Sequence, residues 1–314
     1  MPNRISPWFF PPHRARRCIS THVHYFDRLS AIFLLCFIVG TMSHPSPSWA
    51  AESEDGKPAY SMGVFPFLSP TTLEDLFSPI AAELGRALGR EVQFSSTSSF
   101  EKFAQKLQAG EYDIAHIHPW DYVNIASKVG YPPVATRNEP LYAVFVVKND
   151  SPLKKAGDLK GKIVGLPPRL ATVNYLAKVT LLQAGIEPER DLTLKYFSTH
   201  QSCLQQLQIG DIDTCASGSA ILRVIQGQTG NAFRVLMESP RIPQTLFVVH
   251  SRVPGKDRDV IEKTLLSTTL SGVAPPIRDL FFEGKNKGGK YFRSITDPDY
   301  DPVRRYIKIL ENRP

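Results

Sequence analysis

From residue 59 onward, short apolar runs alternate with stretches whose apolar residues recur every three or four positions. Thr72–Leu88 shows the second pattern. Leu73, Leu76, Phe77, Ile80, Ala81, Leu84 and Leu88 share one face, which predicts an amphipathic helix with that face buried. Tyr60–Phe65 and Val92–Ser95 on either side are too short for such a helix and read as strands. A helix follows over Phe100–Gln108, capped by Ser98 or Ser99 with Glu101 in its first turn. Tyr112–Ile117 reads as a strand, and Pro119 opens a helix through Lys128, as proline does at a first helical position.

The same alternation continues. Strands are predicted over Tyr142–Lys148, Lys162–Leu166, Leu192–Phe197, Ile212–Cys215, Phe233–Met237 and Thr245–Val249. Helices are predicted over Leu170–Ala184 (closed by Gly185), Gln201–Gln208 and Ala220–Gln226. The tail reads as helices Asp257–Ser271, Pro276–Phe282 and Pro302–Leu310, with a loop Gly284–Tyr291 between the last two. Strands alternating with helices predict an α/β protein of mainly parallel sheets flanked by helices.

One phrase occurs twice. Residues 103–119, FAQKLQAGEYDIAHIHP, and residues 203–219, CLQQLQIGDIDTCASGS, lie 100 positions apart. Each is a helix ending in Leu-Gln-x-Gly, then an acid, an aspartate and a short apolar run. Gly110 and Gly210 suit the left-handed position that ends a helix. Two matching units imply two similar lobes, and a cleft between lobes is a natural ligand site.

The first fifty residues differ in kind. Residues 1–28 carry five arginines against one acid, Asp27, followed by the apolar run Leu29–Gly40 and a Pro-rich polar stretch. That order reads as a secretory signal, with cleavage placed after Ala50 of Ser48-Trp49-Ala50. The alternative is an uncleaved N-terminal anchor in the inner membrane. Removing 1–50 leaves 264 residues with 32 basic and 29 acidic side chains. No Lys/Arg cluster marks a nucleic-acid face, so no nucleic-acid partner is expected. Cys203 and Cys215 then remain, an even count that an oxidising compartment could bridge or leave as buried thiols.

Candidate chemistry gathers at helix starts after strands: Ser98-Ser99, His118-Pro119-Trp120, Leu170-Ala171-Thr172, Thr199-His200 and Ser217-Gly218-Ser219. Unpaired N–H groups there favour an anion, and Arg169 could add positive charge. Phe100, Trp120, Tyr122 and Tyr142 could wall an organic group. His116 and His118 share one face of a strand, and with His200 they form an alternative divalent-metal site. Catalytic fingerprints such as Gly-x-Ser-x-Gly, a P-loop or a dinucleotide motif are missing from residues 51–314, so neither an enzyme nor a cofactor is expected.

Several longer segments carry a family likeness: GVFPFLSPTTLEDLFSPIAAELGRALGREVQF, SFEKF, GEYDIAHIHPWDYV, YAVFVVKNDSPLKKAGDLKGKIVGL, THQSC and ESPRIPQTLFVV. Through them residues 59–252 resemble the periplasmic substrate-binding proteins of phosphonate, phosphite and phosphate ABC transporters. The resemblance implies the two-lobed type II periplasmic binding protein fold with two hinge crossings. It places a linker at 51–58, lobe 1 at 59–138 and 241–314, and lobe 2 at 139–240.

It also implies site residues. Phe100 takes the place of a family aromatic, His118-Pro119 that of a Gly-Pro turn, and His200 that of a second-lobe histidine. The oxyanion loop falls at Leu170-Ala171-Thr172-Val173, where Thr172 keeps the one hydroxyl. Thr245 lies near the return crossing, in Ile242-Pro243-Gln244-Thr245. Closure would bring Ser99, Phe100, His118, Trp120 and Tyr122 against Thr172, His200, Ser217 and Ser219, with His200 donating to an anionic oxygen. The implied role is a monomeric periplasmic receptor that hands a small anion to an inner-membrane permease. The alternatives are a sensory receptor on the same fold, or a receptor for another organic or metal ligand.

Overall fold

The computed structural model describes residues 57–230, 232–282 and 289–312. The expected leader, its cleavage position and most of the loop Gly284–Tyr291 lie outside these residues. Chain order is β1 (Tyr60–Val64), α1 (Pro70–Leu88), β2 (Val92–Ser96), α2 (Phe100–Gln108), β3 (Ile114–Ile117), α3 (Pro119–Asn124), β4 (Pro133–Arg137) and β5 (Ala143–Lys148). It continues with β6 (Ile163–Leu166), α4 (Thr172–Gln183), α5 (Pro188–Asp191), β7 (Thr193–Tyr196), α6 (His200–Ile209), β8 (Thr214–Gly218), α7 (Ser219–Thr229) and β9 (Phe233–Glu238). The last elements are β10 (Leu246–Val249), α8 (Gly255–Ser267), α9 (Pro275–Phe281), β11 (Phe292–Arg293) and α10 (Asp301–Glu311).

Two sheets carry the fold, ordered β11-β4-β10-β3-β1-β2 in lobe 1 and β7-β6-β8-β5-β9 in lobe 2. The chain crosses between them twice. At the crossings Leu141 and Ile242 exchange both backbone hydrogen bonds, at 2.9 and 3.0 Å. Each sheet is mixed rather than mainly parallel, because β5 and β10 run antiparallel to their neighbours. The reason is the crossing itself: a strand entering a lobe from the hinge starts at the cleft and runs away from it. The strands already in that lobe run toward the cleft. β4 adds to the sequence reading, which assigned no element to 133–137. Helix α4 begins at Thr172 rather than Leu170, because Ala171 is extended.

The repeated phrase does the same work in both lobes. Gly110 and Gly210 turn the chain with φ of 69° and 88°. Asp113 Oδ2 then accepts the N–H of Ser61 at 2.9 Å, and Asp213 Oδ2 accepts that of Ile163 at 2.8 Å. Each aspartate thus fixes the start of the strand beside its own.

Helices cover both sheet faces, and one apolar cluster reaches across the lobes. Val303 and Ile307 of α10 pack in the same cluster as Trp120 and Val123 of α3 and Val173 and Leu176 of α4. In lobe 2 a disulfide joins Cys203 of α6 to Cys215 of β8, with Cα atoms 5.9 Å apart. Among the described residues no helix is long and apolar enough to cross a membrane.

Candidate functional site

The five polar helix starts divide by how they are capped. Ser99 accepts the N–H of Lys102 at 3.3 Å, and His118 Nδ1 accepts that of Asp121 at 3.3 Å. Thr199 and Ser202 cap α6 reciprocally. By contrast α4 and α7 begin at Ala171 and Gly218 with no side-chain cap. First-turn N–H groups carry the positive end of a helix dipole. Asn174 N–H returns to Ala171 O at 2.9 Å and Ser219 N–H reaches Tyr142 O at 3.4 Å, and their first-turn neighbours lack an intrahelical acceptor. Both uncapped starts belong to lobe 2, and both open on one cavity of about 90 Å³ between the lobes.

Lobe 1 supplies Phe65, Phe67, Phe100, Phe281, Arg137 and His118 to the cavity; Leu141, Gln244 and Thr245 line its hinge side. Lobe 2 supplies Ala171–Val173, His200 and Gly218–Ile221. Two buried hydroxyl oxygens on these walls, Thr172 Oγ1 and Thr245 Oγ1, make no hydrogen bond. Each such orphan costs about 1–3 kcal/mol, so the site is poised for a ligand that satisfies them.

The histidines are neutral. Burial pushes His118 down to about 3 and His200 down to about 4. Because His118 Nδ1 accepts a backbone N–H, the neutral ring carries its proton on Nε2, which lies 3.3 Å from Asp121 Oδ2. Burial pushes the neighbouring Asp121 up to about 7. His200 Nδ1 lies 3.3 Å from the hydroxyl of fully buried Ser217. The arrangement can hold an anion with neutral donors from two helix starts and two hydroxyls.

Residues 62–294 match the family described as ABC transporter, phosphonate, periplasmic substrate-binding protein. The chain belongs to that family. Among solved structures it is similar to PhnD1 from Prochlorococcus marinus in complex with methylphosphonate, with TM-score 0.68 and 16% identity over 81% of this chain and 99% of that one. It is also similar to XAC2383 from Xanthomonas citri bound to ATP (TM-score 0.64, 15% identity, 81% and 98% covered). A third is the periplasmic aliphatic sulphonate binding protein SsuA from Escherichia coli (TM-score 0.61, 14% identity, 81% and 92% covered). These likenesses show the two-lobed fold.

Six of the residues expected from sequence line this family member's cavity: Phe100, His118, Thr172, His200, Ser219 and Thr245. The others do not. Ser99 faces its own helix as a cap. Trp120 is buried against Tyr175, and Tyr122 is buried with its hydroxyl donating to Asp297 at 2.7 Å. Tyr142 lies under Arg241, 4.4 Å from ring centroid to guanidinium, beside a separate recess. Arg169 stacks 3.7 Å over Tyr196. Ser217 reaches the site only through His200. The metal alternative also fails for a physical reason. His116 packs among Phe77 and Phe247 at 4.8 and 4.7 Å, and among the described residues no three ligating side chains gather.

Phe65, Phe67, Arg137 and Phe281 were missed. Phe65 and Phe67 flank a proline in the loop after β1, where no periodicity marks a face. Phe281 comes from a helix more than 200 positions later, and Arg137 from the strand that was not recognised.

Proposed function

We propose that this chain is a secreted solute receptor that closes two lobes around one small tetrahedral oxyanion of the phosphonate class and presents it to an ABC permease. The observation that carries this reading is the pairing of two uncapped helix starts with the unpartnered hydroxyls of Thr172 and Thr245 in one interlobe cavity. A phosphonate offers three acceptor oxygens, and charge-assisted hydrogen bonds to them are the strong ones. The basic leader, the apolar run Leu29–Gly40 and Ser48-Trp49-Ala50 support export with cleavage after Ala50. The receptor acts as a monomer, since one lobe pair completes the site.

Calorimetry with methylphosphonate tests the assignment. Wild-type protein binds it, and Thr172→Val, which removes one hydroxyl at nearly constant volume, weakens binding about ten- to a hundredfold. Absence of binding to methylphosphonate and inorganic phosphate alike, or equal affinities for wild type and variant, overturns it.

A further inference from the structure

Resting on the oxyanion reading above, we infer that the ligand is a short alkylphosphonate whose substituent carries no charge, and that the site rejects aminoalkylphosphonates.

The two ends of the cavity differ in chemistry. The lobe 2 end carries the helix starts and Thr172. The lobe 1 end is aromatic: Phe65 stacks on Phe67 at 4.4 Å, with Phe100 at 6.0 Å from Phe65 and Phe281 at 5.2 Å from Phe67. A tetrahedral head on the lobe 2 helix starts therefore points its substituent at phenyl rings. Among the described residues no Asp or Glu lines the cavity. Its one permanent cation is Arg137, beside Phe281, which donates to the Phe281 carbonyl and pairs with Glu139. Glu139, paired with Arg137, lines an adjoining recess instead, and Asp121 lies behind His118, its Oδ2 3.3 Å from Nε2.

An ammonium on the substituent would meet rings and a guanidinium, with no carboxylate to offset its loss of hydration. Burying a charge unpaired is costly, whereas each buried methylene gains about 0.8 kcal/mol.

The test is calorimetry of the purified chain with methyl-, ethyl- and propylphosphonate, 2-aminoethylphosphonate and inorganic phosphate. Affinity rises about fourfold per added methylene. 2-Aminoethylphosphonate binds at least about tenfold more weakly than ethylphosphonate. Phe100→Glu places a carboxylate at the cavity in the first turn of α2, where the helix dipole favours it, and this variant reverses the preference; Phe100→Leu preserves it. If 2-aminoethylphosphonate binds wild type as tightly as ethylphosphonate, the inference falls and the oxyanion receptor stands. If none of the five anions binds, the oxyanion reading falls and takes the inference with it.

Discussion

Trp120 of lobe 1 stacks on Tyr175 of lobe 2 with ring centroids 4.1 Å apart and planes within 3°. The pair joins α3 to α4 just behind the uncapped start of α4, so under the proposed closure about Leu141 and Ile242 it would hold the closed state together. Aromatic stacking contributes about 0.5–1.5 kcal/mol beyond area burial. Tyr175→Ala therefore weakens ligand binding about two- to tenfold while the fold persists, because Tyr175 is only partly buried. Trp120 is the sole tryptophan beyond residue 50, so intrinsic fluorescence of the protein cut after Ala50 reports this contact directly. An emission spectrum and affinity unchanged by the substitution would show that the stack plays no part in closure.

His200 ties stability to pH. In the unfolded chain it titrates near 6.5, whereas burial in the fold lowers it to about 4. Between these values the unfolded state binds more protons than the folded one, so stability is full above 6.5 and falls as pH drops toward 4. From pH 7 to pH 5 this one group removes on the order of 1–2 kcal/mol. His118 and Asp121 contribute with opposite signs over much of that range, since burial lowers one and raises the other. His200→Gln isolates its share. Urea unfolding at pH 7 and pH 5 is expected to show a smaller loss in the variant, and an identical loss would contradict the assignment.

The bridge between Cys203 and Cys215 closes a loop of 12 positions, which restricts the unfolded chain by about 3 kcal/mol. It also fixes the first turn of α6 against the start of β8, the two elements that carry His200 and Ser217. The double variant Cys203→Ser/Cys215→Ser should unfold at lower denaturant concentration by that amount. Reduced wild type should behave the same way, and a midpoint insensitive to reductant would exclude a stabilising bridge.

Much of the fold was readable because local patterns agreed with one another. The repeat around Asp113 and Asp213 placed equivalent helix–turn–strand units in two lobes, and their aspartates fix equivalent strand starts. β4 escaped notice because its prolines mask an outer strand that only β10 and β11 complete. Among the candidates expected at helix starts, Thr172, His200 and Ser219 line the cavity. Trp120, Tyr122 and Tyr142 lie outside the cavity lining; an aromatic near a cleft and an aromatic packed in the core share one sequence signature. Phe281 could not be foreseen, since only tertiary packing brings α9 to the cavity.

Two strand glycines extend the internal symmetry to packing. A Cβ on Gly63 of β1 would stand 2.6 Å from the ring of Tyr112, and one on Gly165 of β6 would stand 2.5 Å from Ile212 Cδ1 and 2.7 Å from Cys203 Sγ. Tyr112 and Ile212 are equivalent positions of the repeat, each preceding its clamping aspartate. Both lobes thus seat a large side chain directly on a strand backbone. Neither glycine has positive φ, so the constraint is space rather than conformation. Gly63→Ala and Gly165→Ala should each destabilise the protein by about 1–3 kcal/mol through overpacking. Gly157, with nothing within 4 Å of its added Cβ, is the control and should tolerate alanine without loss. Thermal melts that rank Gly157→Ala as the most damaging of the three would refute this account of the two lobes' shared core.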